Sequence, residues 1–455
     1  MIRHAIAALA VLGAGLALAE LAVRGAQLFP EARERFAASL RPGNSAFAPE
    51  ASPSLAMLHP YQGWSLRPDA PLELAYYEYL RAALPRAPDP ADHQRNVFGF
   101  RSRIRDYREV PDSDFAVGIF GGSVASNLAC IAGRDLAERL AALRPELAGR
   151  VQVLNFSEGG FKQPQPLAVL AQMQLLGVPL DAVIELDGFN EVVFGGTNAK
   201  SGVHPLFPSL FHTQTLLELT RSEISGELVA ALAEIARARR RAAARGERWR
   251  ESPLRASALL QAALGARSLR DDRRASELEA ALQSQPPARG DALLAALPDA
   301  CLASREEGAC AEQIAALWLR ASLAMRRLAL GAGAVYVHAL QPSQYLEGSK
   351  RLTPRERERA YRPEAEWPRL ARGGYPLLQR AGESLRRQGV AFEDLTGIFR
   401  EVSDTLYVDD CCHLNRRGNR ILALRLAELV AAELGGAARG AADARASAEP
   451  AGLGP

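Results

Sequence analysis

The chain has 455 residues, 48 % hydrophobic and 24 % charged, enough for about two to four structural units and a sizeable core. Lys+Arg 55 against Asp+Glu 52 leaves a net charge of +3, so the chain as a whole has no charge-driven partner such as nucleic acid. Its ordinary apolar fraction excludes global disorder.

In chain order the first feature is an apolar run from Ala5 to Val23, interrupted only by Glu20 and flanked by Arg3 and Arg24. About nineteen residues at 1.5 Å each span roughly 28 Å, close to the hydrocarbon thickness of a bilayer. Residues 1–24 therefore predict an N-terminal membrane segment. It reads as an uncleaved signal anchor, or as a signal peptide cleaved near Ala17-Leu18-Ala19, with a buried core helix as a third reading. The first two send the remainder out of the cytoplasm, to the periplasm or beyond, either anchored or secreted. No second run of this kind follows, so the rest should be soluble.

Residues 25–94 contain proline and lack periodicity, which predicts a linker and a capping segment that includes His59-Pro60-Tyr61-Gln62-Gly63-Trp64. Asn96-Val97-Phe98-Gly99-Phe100-Arg101 precedes the first predicted strand, Phe115–Phe120, which ends in Gly121-Gly122-Ser123. A helix with Leu136, Leu140 and Leu143 follows. Next come a strand at Val151–Phe156, a helix opened by proline, and a strand at Ala182–Gly188. The pattern resumes at Ala334–Leu340, followed by Gln341-Pro342-Ser343-Gln344, and closes with a helix through Arg420–Leu434. Short apolar strands alternating with amphipathic helices predict an α/β fold around a parallel sheet buried on both faces.

Residues 197–331 read as a helical insertion with an Arg-dense stretch from Arg237 to Arg250. That stretch is either a solvated helix or a contact for anionic lipid or acidic polysaccharide. Residues 436–455 are low in complexity and predict a disordered tail. Of the five cysteines, Cys301 and Cys310 bracket a short polar loop and form a candidate disulfide for an oxidising compartment. Cys130 stands apart, and Cys411-Cys412 are neighbours whose bridging would strain the peptide. No spacing predicts a metal site.

In an open α/β sheet, active residues sit beyond the carboxyl ends of the strands. Four polar clusters lie there: Gly121-Gly122-Ser123, then Asn155 with Gly159-Gly160, then Gly188-Phe189-Asn190-Glu191, then Asp409-Asp410-Cys411-Cys412-His413. Each alone also reads as a turn or a cap. Together they supply acyl transfer. Ser123, at a helix N-terminus, is the candidate nucleophile, with its own N–H available for an oxyanion. His413 is the candidate general base and Asp410, three residues earlier, its orienting acid, with Asp409 as the alternative. Gly160 can offer a backbone N–H with no Cβ in the way, and Asn190 a side-chain donor. His59, His204 and His338 are alternative bases, and none has an acid at a helpful spacing.

This ordered set resembles the four blocks of the SGNH (GDSL-type) hydrolase family, over about residues 95–200 and 332–435. The resemblance places the family's Ser, Gly, Asn and His on Ser123, Gly160, Asn190 and His413, with the acid on Asp410. It implies a flavodoxin-like three-layer α/β/α sandwich over residues 95–435. It also implies a serine esterase that needs no cofactor and cleaves acyl esters, most suitably O-acetyl groups on a cell-envelope polysaccharide. An O-acyltransferase using the same residues, and a non-catalytic glycan-binding or assembly protein, are the alternatives. Two departures stand out: Gly122 where the GDS form has Asp, and Glu191 where Asp is usual.

Overall fold

The computed structural model describes residues 94–201, 203–209, 256–284 and 307–448, and parts of 15–25, 56–68 and 234–253. Two units separate: residues 1–48 with 217–290, and residues 49–216 with 291–455.

The second unit is built on five parallel strands: β3 (Phe115–Gly121), β4 (Val151–Asn155), β5 (Ala182–Asp187), β6 (Val335–Leu340) and β7 (Ala391–Asp394). Their order is β4-β3-β5-β6-β7, so the chain reverses its direction of travel across the sheet after β4. Every residue of β5 and β6 is buried, which is why these strands read as continuous apolar runs rather than alternating ones. Parallel strands need crossover helices, and the sequence supplies them. They are α1 (Ser123–Leu143), α2 (Gln165–Leu175), α3 (Phe189–Lys200), α5 (Glu307–Gly331), α6 (Pro354–Arg359) and α7 (Glu366–Arg387), and α8 (Arg416–Ala448) follows the last strand. Helices α1 and α8 pack on each other and on the sheet. The other face is covered by α2, α3, α5 and α7. This is an α/β fold. A separate antiparallel hairpin, β1 (Ala56–His59) and β2 (Gly63–Leu66), precedes the sheet.

Two boundaries differ from those predicted. Helix α5 lies within residues 197–331, yet its Ile314, Trp318, Ala321, Met325 and Ala329 are buried against the sheet layer. It is the crossover that β6 requires, and its Ala-rich sequence had concealed its apolar stripe. The tail from 436 continues α8 as far as Ala448, because Ala and Arg favour helix even in a low-complexity sequence.

In the first unit, α4 (Ala258–Ser284) packs its Ala275 and Leu278 against Ile235 and Ala238. The arginines expected to be solvated or lipid-facing are partly engaged. Arg241 and Arg245 pair with Asp271; outside that stretch, Arg274 of α4 pairs with Glu234 at 2.9 Å. Glu20, the charge within the apolar N-terminal run, accepts from the N–H groups of Ala258 and Leu259 and from the Ser257 hydroxyl at 2.7–2.8 Å. The acid is thus a cap on the N-terminus of α4, where a carboxylate is favoured. Among the described residues no helix is long and apolar enough to cross a membrane; residues 1–14 lie outside that set.

If α5 belongs to the sandwich, deleting the fully buried indole in Trp318→Ala should lower the unfolding free energy by about 3–5 kcal/mol in urea titration. A loss below about 1 kcal/mol would detach α5 from the core.

Candidate active site

The four polar clusters meet at one edge because the strands that carry them are parallel and in register. Gly121 of β3 lies opposite Leu186 of β5, and Ile119 lies opposite Asn155 of β4. Gly121 adopts φ +136°, and a Cβ there would meet the Leu186 carbonyl oxygen at 2.1 Å. Only glycine allows this turn, which delivers Ser123 onto the first residue of α1, half-buried and at the positive end of the helix. At Gly122 a Cβ would lie 2.2 Å from the Asn190 amide nitrogen. With Asn190 in that space, a side chain at position 122 would have to displace its amide.

His413 joins Ser123 across 290 positions of chain, with Nε2 at 2.8 Å from the serine Oγ. Its Nδ1 lies 2.5 Å from Asp409 Oδ2. With the Nδ1 proton held by Asp409, the neutral ring leaves Nε2 to accept from the Ser123 hydroxyl. The expected acid was Asp410; the structure puts Asp409 there instead. Four residues of tight loop return the chain to the same side, and Asp409 Oδ1 also accepts from the N–H groups of Cys411 (3.1 Å) and His413 (3.3 Å). Asp410 faces elsewhere and presents its carbonyl to the Tyr345 hydroxyl. Burial would push the His413 imidazole down, but the charge and hydrogen bond of Asp409 outweigh it and lift the group to about 9. Burial likewise favours the neutral form of Asp409, yet His413 and the two loop N–H groups hold its carboxyl below the ordinary range.

The segment after β6 braces this loop. Gln344 donates to the Asp409 carbonyl at 3.2 Å and to the Ala360 carbonyl at 3.1 Å, beside the Tyr345 contact. A hydrogen bond from Val408 N–H to the His413 carbonyl (3.0 Å) and a bridge between Tyr407 and Leu414 close its base.

The candidate oxyanion donors converge less completely. Asn190 donates one amide hydrogen to the Phe161 carbonyl at 2.7 Å and lies against Gly122, next to the nucleophile. Gly160 adopts φ +82° in the loop after β4. Its neighbour Gly159 lies beside the serine: a Cβ on it would stand 3.9 Å from that of Ser123. Asn155 is scaffold, donating to the Arg101 carbonyl and receiving the Tyr107 hydroxyl on its own carbonyl.

That loop is held from several sides. Glu158 binds Arg95 at 2.5 Å and Arg101 at 3.3 Å, and Trp64 of β2 meets Phe161 edge-on. Glu191, buried at the start of α3, accepts from Gly188 N–H at 2.8 Å and from Gln163 N–H at 3.0 Å. Asn190 and Glu191 thus pin consecutive parts of one loop. Burial and the nearby Asp187 carboxylate push Glu191 up to about 8. Burial pulls the adjacent Lys162 down to about 7, and its ammonium donates to the Pro205 carbonyl.

A second polar chain went unrecognised in sequence. His338 Nε2 lies 2.9 Å from Asp187 Oδ1, and its Nδ1 lies 2.7 Å from Ser322 Oγ. Trp318 donates to the same Asp187 oxygen at 2.7 Å. The order Ser-His-Asp is that of a hydrolytic relay, but Ser322 and His338 are wholly buried, so no substrate reaches them. The signal was present in the acids of β5, Glu185 and Asp187, since a carboxylate in a fully buried strand needs a partner.

No protein-family model matches the chain, and no curated protein matches it in sequence.

Removing the negative charge in Asp409→Asn should move the His413 imidazole titration downward, read by nuclear magnetic resonance, toward or below the ordinary histidine value. Asp410→Asn should displace it far less. Equal displacements would return Asp410 to the relay.

Proposed function

We propose that the protein is a serine hydrolase of the SGNH type that cleaves acyl esters, with O-acetyl groups on a cell-envelope polysaccharide as the substrate class. The observation that carries this reading is the unbroken chain from Asp409 through His413 to Ser123, ending on a half-buried serine at a helix N-terminus. The strand order supports the finer fold as well: counted from the first strand of the sheet it is 2-1-3-4-5, the flavodoxin-like order, whose ligands bind at the switch point beside the first strand. Ser123 follows that strand.

In this reading Ser123 Oγ attacks the ester carbonyl while His413 Nε2 takes its proton. Asp409 keeps the tautomer and stabilises the imidazolium. The developing negative oxygen is met by the N–H groups of Ser123 and Gly160 and by Asn190. The imidazolium protonates the departing alcohol, and water activated by His413 releases the acid. An extracytoplasmic site of action, through the N-terminal segment as anchor or signal, accompanies the proposal. The disulfide-bonded state of Cys310 supports it; the expected partner Cys301 lies outside the described residues.

Ser123→Ala should abolish both fluorophosphonate labelling and hydrolysis of 4-nitrophenyl acetate. Wild-type turnover in that variant would overturn the assignment. Because His413 must be neutral to accept the proton and is held at about 9, kcat/KM for wild type should climb with pH through the alkaline range. Asp409→Asn should shift the rise to lower pH and depress the plateau; a profile flat from neutral to alkaline pH would remove His413 as base. Glu191→Gln turns a donor toward one of two backbone N–H groups, so kcat should fall roughly tenfold to a hundredfold with little change in KM. Labelling of Ser123 should persist. An unchanged kcat would mean that Glu191 does not position the oxyanion loop.

A further inference from the structure

Cys411 and Cys412 lie between the two residues that form the acid–base pair, and the relay uses neither. Both are free and buried, and their sulfurs are 3.2 Å apart. With His413 they place three ligand atoms within 4.8 Å of one another. Both His413 nitrogens are already engaged, by Asp409 and by Ser123, which leaves two sulfurs and no third ligand for a soft metal ion. The pair is better suited to chemistry of its own.

The peptide joining the two cysteines is the middle of the loop wound round the Asp409 carboxylate, with the N–H of Cys411 and that of His413 both on Oδ1. A disulfide ordinarily needs its Cα atoms about 4.4–6.8 Å apart, whereas neighbours across a trans peptide are about 3.8 Å apart. Bridging Cys411 to Cys412 must therefore turn or bend that peptide. The two N–H groups that orient Asp409, and the attachment of His413, move with it. Strain of this kind also makes a disulfide easily reduced, the property of labile rather than structural bridges.

We infer that Cys411–Cys412 is a reversible oxidation site that switches off the Ser123 centre, an inference resting on the proposed role of Ser123. The oxidant is a small disulfide of the glutathione class. One cysteine, as thiolate, attacks a donor sulfur and expels one donor thiol. The second cysteine then attacks the mixed disulfide and expels the other. Two protein thiols lose two electrons and two protons to become one S–S bond, and the donor is reduced to two thiols. Burial and the neighbouring Cys412 push the Cys411 thiol up, so exchange starts from loop-opened molecules and quickens with pH.

The test takes the full chain, equilibrates it with oxidised or reduced glutathione, quenches in acid, and alkylates under denaturing conditions. The peptide holding Cys411 and Cys412 should carry two alkyl groups after reduced glutathione. After oxidised glutathione it should carry none and weigh two hydrogens less than the dithiol. Hydrolysis of 4-nitrophenyl acetate should fall at least about tenfold in the oxidised sample and return with a phosphine reductant. Cys411→Ser and Cys412→Ser, checked for folding by circular dichroism, should not form the bridge. If they fail to fold, the wild-type masses still decide. Two alkyl groups on the peptide under every condition would overturn the oxidation site, and a bridged protein that hydrolyses ester at the reduced rate would overturn the switch. If the reduced protein neither labels nor hydrolyses, the proposed function fails and the switch with it, while the masses still report independently on the bridge.

Discussion

The parallel register of β3 with its two neighbours is the constraint on which the rest of the structure depends. Parallel strands end on one edge, so residues far apart in the chain emerge together wherever strands finish in step. Ser123 leaves the edge after β3, the Gly159–Gly160 loop after β4, and Asn190 with Glu191 after β5. His413 enters from the loop before α8, which packs against α1. A slip of one residue between β3 and β5 would turn Gly121 away from Leu186 and carry the serine off the Asn190 amide. The glycines at this edge are consequences of that closeness, since at Gly121 and Gly122 a methyl group would overlap atoms already in place.

Buried polar groups finish what the register begins. Apolar packing holds the sheet together but does not orient a loop, and the loop after β4 carries Gly160, one of the candidate oxyanion donors. It is fixed by ion pairs of Glu158 with Arg95 and Arg101 on one side. On the other it is fixed by Asn190 and Glu191, which bind its backbone directly. Burying carboxylates beneath the edge is costly, and the structure offsets it with partners: His338 and Trp318 for Asp187, Gln163 for Glu185, and backbone N–H groups for Glu191. The raised titration of Glu185 follows from burial and from the adjacent Asp187 charge.

The loop from Asp409 to His413 shows why spacing alone picked the wrong hydrogen-bond partner for His413. Asp409 and Asp410 are adjacent, and both are within reach of His413 along the chain. Regular spacing favours neither, because the segment is a tight irregular loop rather than a helix or strand. The path of that loop is set by Gln344, Tyr345 and the Tyr407–Leu414 bridge, contacts with residues scores of positions away or across the loop. The same holds for His338. Its acid, Asp187, lies 151 positions earlier and becomes a neighbour only because β5 and β6 pair side by side.

By itself the sequence determined the class of fold, the strands β3 to β6, the candidate nucleophile Ser123, the candidate base His413 and the clusters holding Gly160 and Asn190. Apolar runs, turn glycines and helix starts are local, and strand-end chemistry follows from the parallel arrangement they impose. Only the tertiary structure decided that Asp409 rather than Asp410 meets His413, that α5 is part of the sandwich, and that Glu191 anchors the loop after β4. It also decided that Cys411 and Cys412 stand together beneath the relay, with their joining peptide wound round its acid. Each of these depends on where side chains from distant segments point once the sheet has closed, and residue spacing along the chain does not encode direction in an irregular loop.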